Sequence, residues 1–70
     1  MIEGLKFDIS VDEYSQGVVE IYYKDKVTYN SFELPYDIAE YLAFTLSNIG
    51  EVNLEDEDGV QSIFKNGEMI

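Results

Sequence analysis

Residues 35–50 read PYDIAEYLAFTLSNIG. The reading of this stretch decides the architecture, because the segments on either side of it alternate with the period of β-strands. Pro35 suits the first turn of a helix, where its missing N–H costs nothing, and Asp37 sets a negative charge at the positive end of the helix dipole. Ile38, Tyr41, Leu42, Leu46 and Ile49 recur at spacings of three and four, the mark of a helix with one apolar face. Asp37, Glu40, Ser47 and Asn48 fall off that stripe, and Gly50 is expected to end the helix as a left-handed cap residue. Phe44 sits away from the stripe's centre, where another element covers it or a partner meets it. In so aromatic a chain, cover is the expectation.

Before the helix, Leu5, Phe7, Ile9 and Val11 alternate with Lys6, Asp8, Ser10 and Asp12, giving a first strand with one buried face. The polar run Asp12 to Gln16 and Gly17 lead into Val19, Ile21 and Tyr23, a second strand antiparallel to the first. A tight turn over Lys24, Asp25 and Lys26 starts a third strand at Val27, Thr28 and Tyr29. Its parity slips before Phe32 and Leu34, which places a bulge or strand end near Asn30 and Ser31. After the helix, residues 51–60, EVNLEDEDGV, alternate through Val52 and Leu54 and turn at an acid run before Gly59. Val60 to Phe64 form a further β-prone run, and residues 65–70 either fray or extend it. The predicted order is β-β-β-α-β-β: a small α+β domain spanning residues 1–70, with one amphipathic helix on one face of an antiparallel sheet. Leu5, Phe7, Ile9, Val19, Ile21, Tyr23, Val27, Tyr29, Ile38, Leu42, Leu46 and Ile63 form the predicted core.

At 70 residues the chain buries only about 60% of its unfolded surface, and with no cysteine there is neither a disulfide nor a thiolate metal site to add stability. Six Tyr and four Phe supply large buried area per residue instead. The N-terminal stretch lacks a basic segment followed by an apolar one, and no apolar run reaches the roughly 18 residues of a membrane span. The expectation is a soluble, cytoplasmic protein without membrane contact.

Fifteen Asp and Glu stand against four Lys, with no Arg and no His, for a formal charge of −11. Such a surface repels nucleic acid and anionic membranes and favours a basic partner. The acid run tempts a calcium reading, but with Gly59 in the glycine place of an EF-hand loop, Leu54 would stand first and Lys65 twelfth, where a bidentate glutamate is required. Without His or Cys there is no zinc-type site. None of the five serines has a nucleophile context, and no Gly-rich loop or Arg grips phosphate. The expectation is a protein without enzymatic activity, metal or cofactor.

The residues expected to meet a partner are Asp8, Asp12, Glu13 and Glu20 on or beside the first two strands, Asp37 and Glu40 on the helix, and Glu55, Asp56, Glu57 and Asp58 in the acid-rich turn. Tyr22 and Phe44 are the aromatic candidates among them. A small domain whose carboxylates run in rows can imitate the charge density of duplex DNA, about one charge per 1.7 Å of axis, and fill a basic groove. The charge thus points to a non-catalytic inhibitor that occupies the nucleic-acid-binding surface of an enzyme, of the kind phage use against restriction or CRISPR nucleases. The alternative is a small interaction or assembly module, homodimeric through a sheet edge or its aromatic surface, whose acidity serves solubility alone.

Overall fold

The computed structural model describes the backbone throughout and the side chains of residues 1–26 and 32–70. The strands are β1 (Leu5–Val11), β2 (Gln16–Tyr23), β3 (Lys26–Pro35), β4 (Glu51–Glu55), β5 (Gln61–Lys65) and β6 (Glu68–Met69), with one helix, α1 (Tyr36–Leu46), between β3 and β4. They form one sheet in the order β3-β2-β1-β4-β5-β6, with α1 on one face. The α+β architecture with a single helix packed on a sheet is therefore as expected. Two details correct the sequence reading.

The sheet is mixed, not purely antiparallel. β4 returns beside β1 and runs parallel to it, with Phe7 opposite Val52 and Ile9 opposite Leu54, because the helix carries the chain back across the sheet before the next strand begins. There is also a sixth strand. Asn66 and Gly67 both take positive φ, 55° and 79°, the two-residue turn that closes a tight hairpin. It brings Glu68 opposite Lys65 and Met69 opposite Phe64.

The register of β2 against β3 shifts between Val19 and Ile21 and again between Ile21 and Tyr22. Val19 pairs with Phe32 and Ile21 with Tyr29, so three residue steps of β3 oppose two of β2 across Asn30 and Ser31, where the sequence predicts a bulge or strand end. The core placement of the Val27 and Tyr29 side chains falls outside the described residues.

The core consists of Phe7, Ile9, Val19, Ala39, Ala43, Val52, Leu54 and Phe64, with Leu5, Ile21, Phe32, Leu34, Tyr36 and Leu46 packed around it. Leu42 is half-buried. Three predicted core residues lie elsewhere. Ile38 is 56% exposed, because α1 turns its small side chains, Ala39 and Ala43, toward the sheet. Ala39 meets β2 at Gly17, where a Cβ would overlap the Cβ of Ala39; a helix face carrying Ile38 and Tyr41 could not come so close. Ile63 lies opposite Asn53 on the open face while its neighbour Phe64 lies opposite Val52 on the covered one, a one-residue change of parity. Tyr23 is 41% exposed at the end of β2, with the Lys24 ammonium 5.2 Å from its ring centre.

Gly50 does not take the left-handed conformation expected of a cap. The helix closes at Ser47, with φ −65°, and position 50 needs glycine because a Cβ there would lie 2.7 Å from the Leu5 carbonyl oxygen. Ser47 is fully buried. Its hydroxyl donates to the Phe44 carbonyl at 2.6 Å and accepts from the Gly67 N–H at 2.8 Å, tying the terminal hairpin to the helix.

Candidate acidic interface

The fold sorts charge by position along the strands. β1, β3 and β4 all point the same way, so the β1–β2 loop, the β4–β5 loop and the start of α1 share one end of the sheet. That end collects Asp12, Glu13, Glu33, Asp37, Glu40, Glu55, Asp56, Glu57 and Asp58, and no base. Lys6, Lys24, Lys26 and Lys65 all lie toward the opposite end, where Lys6 stands beside Glu51 and Lys65 beside Glu68. Both ion pairs among the described residues, Lys65–Glu51 at 3.0 Å and Lys6–Asp25 at 3.8 Å, are at this lysine end. The acidic end has no lysine to neutralise it.

Its two loops share one design. In each, an aspartate opens the loop and its Oδ1 accepts two backbone N–H bonds at 2.9 Å: from Tyr14 and Gln16 to Asp12, and from Asp58 and Val60 to Asp56. The backbone closes the same way in both, Asp12 N to Gln16 O at 2.9 Å and Asp56 N to Val60 O at 3.0 Å. The fourth residue takes positive φ, Ser15 at 60° and Gly59 at 79°. An aspartate side chain that replaces backbone partners in this way holds a tight loop with little help from the core. Each loop then carries Asp-Glu at its first two positions, and the two Asp-Glu pairs follow the ends of β1 and β4, which are neighbouring parallel strands. Tyr14, 75% exposed, rises from the first loop and Val60 is exposed in the second.

Tyr36, at the start of α1, reports the charge density here. Burial, and then the carboxylates of Glu40, Asp56 and Glu57, push its phenol above the usual tyrosine range. Proximity of those acids to one phenol is a property of the folded chain, since they come from two separate elements.

The predicted partner residues divide into three groups. Asp12, Glu13, Asp37, Glu40, Glu55, Asp56, Glu57 and Asp58 come together at the acidic end. Asp8 and Glu20 face each other across β1 and β2 on the open face of the sheet, with the Tyr22 hydroxyl donating to Glu20 Oε2 at 2.8 Å. That hydrogen bond, followed by burial and the charges of Glu20 and Asp8, raises the Tyr22 phenol. Phe44 stands apart from both groups, 42% exposed on the helix while its ring meets Phe64 edge-to-face at 4.9 Å. The placement of Glu33 beside the first loop depends on the register of β3 against β2, and that of the second loop at the same end depends on the parallel return of β4. The repeated Asp-Glu at the head of each hairpin loop was the available signal.

Among the described residues no three acidic side chains are grouped to hold a metal ion, and no helix is long and apolar enough to cross a membrane. A shallow depression between Ile2, Glu3, Gly4, Tyr23, Lys24 and Asp25 lies at the lysine end. Comparison with family models, characterised proteins and solved structures gave no match.

Proposed function

We propose that this protein is a non-catalytic inhibitor that occupies the basic nucleic-acid-binding surface of an enzyme, with its acidic end standing in for the phosphate backbone, as anti-restriction and anti-CRISPR proteins of phage do in the cytoplasm. The observation that carries the reading is the segregation of charge: nine carboxylates without a base at one end, and all four lysines toward the other. An acidic coat that served solubility alone would gain weak ion pairs by mixing the two signs. Here the acids of one end are kept apart from every base, and five of them sit on two loops braced by their own aspartates, so a basic partner meets charge that is already ordered.

The test is competition. Basic proteins from a native lysate are captured on the immobilised protein, then challenged with duplex DNA and, separately, with increasing salt. On this reading the retained protein is nucleic-acid-binding, duplex DNA displaces it, and the acidic protein inhibits its reaction. A retained partner that ignores duplex DNA would overturn the mimicry.

A second reading, an interaction module whose acidity is incidental, draws on one observation. The outer face of α1 is apolar, with Tyr41 77% exposed near Ile38.

A further inference from the structure

Helix α1 carries apolar side chains on two sides. Ala39 and Ala43 meet the sheet, while Ile38 and Tyr41, with Thr45 one turn on, line the side that faces away from it. Ile38 is 56% and Tyr41 77% exposed, so this side sets two large apolar side chains one turn apart in water, in a setting that is otherwise polar. On this outer side the only charges are Asp37 and Glu40, and the last turn has no base.

We infer that the outer face of α1 is a second contact surface, and that its occupant is a basic amphipathic segment of the partner protein, with apolar side chains on Ile38 and Tyr41 and Lys or Arg beside Asp37 and Glu40. Charge complementarity selects this occupant over a second copy of the chain. Two copies, each at −11, would bring like charge together around the helix, whereas a basic segment is attracted by it. An apolar centre with a charged rim is the anatomy of a specific interface rather than of a purely electrostatic encounter. The inference rests on the basic-partner reading and adds an apolar component to it.

The experiment uses two synthetic leucine–lysine peptides of identical composition, one patterned as an amphipathic helix and one scrambled, titrated against the full chain at physiological salt. The patterned peptide is expected to bind at least about tenfold more tightly than the scrambled one. In I38S/Y41S that advantage is lost while the scrambled peptide binds as before; both positions are exposed, and a thermal melt verifies the fold. Equal binding of the two peptides to the parent, or an advantage that survives I38S/Y41S, overturns the inference. So does a parent protein that sediments as a dimer while I38S/Y41S is a monomer, since the occupant is then a second copy. The basic-partner reading fails separately: it falls if neither peptide binds, and stands if both bind alike.

Discussion

Gly17 on β2 and Ala39 on α1 are packed so closely that a methyl group added at position 17 would overlap the methyl of Ala39. This contact fixes the rotation of the helix, and with it the exposure of Ile38 and Tyr41. Gly17→Ala is expected to cost about 1–3 kcal/mol through overpacking, and Ala39→Gly about 1 kcal/mol through lost helix propensity. The double variant should be more stable than the sum of the two implies, because each change makes room for the other. Denaturant melts of the four proteins measure the coupling; simple additivity would mean that the contact does not set the helix position.

Phe64 and Ile38 separate the observed core from the one the hydrophobic pattern suggests. Phe64 is fully buried and Ile38 mostly exposed. Phe64→Ala should therefore destabilise by about 3–5 kcal/mol, while Ile38→Ala stays within about 0.5 kcal/mol. The reverse ranking in urea melts would restore the helix face predicted from spacing.

Residue pattern alone located all the long elements, because strand alternation in Leu5–Val11 and Val52–Leu54 and the three-four spacing after Pro35 are local signals. Spacing points to the wrong helix face because Ala39 and Ala43 carry little hydrophobic weight beside Ile38 and Tyr41, whereas their value to the fold lies in being small, Ala39 directly against Gly17. Asn66-Gly67 is a strong turn signal, but the two-residue strand after it, Glu68–Met69, has no alternation to mark it as a strand. Of the candidate site, the acids themselves were visible, but their gathering at one end was not. It depends on β4 pairing parallel to β1, a relation between segments some 45 residues apart by the alignment of Phe7 with Val52 that loop closure, not local sequence, permits.

Tyr36 offers a spectroscopic check on that gathering. Its phenol is raised by burial first and by Glu40, Asp56 and Glu57 after it. Because the folded protein holds this proton more tightly than the unfolded chain does, the associated stability is complete below the ordinary tyrosine value near 10. It is lost as pH rises through the folded pKa. Phenolate absorbance should show the Tyr36 pKa falling in E40Q/E57Q, and falling with added salt, yet staying above the ordinary value because burial remains. A Tyr36 titration indifferent to both changes would mean that the acids are not gathered around it.

The most direct test of the acidic end as the working surface compares two variants of equal charge, E55Q/E57Q/D58N at that end and E3Q/D25N/E68Q at the lysine end. Each removes three exposed carboxylates and leaves Asp12 and Asp56, which brace the loops, in place. The readout is affinity for the basic protein that duplex DNA displaces, measured at low and physiological salt. The account expects the first variant to bind at least about tenfold more weakly and the second to bind like the parent. Equal loss in both would mean that only net charge matters, and loss confined to the lysine-end variant would place the interface at the opposite end of the molecule.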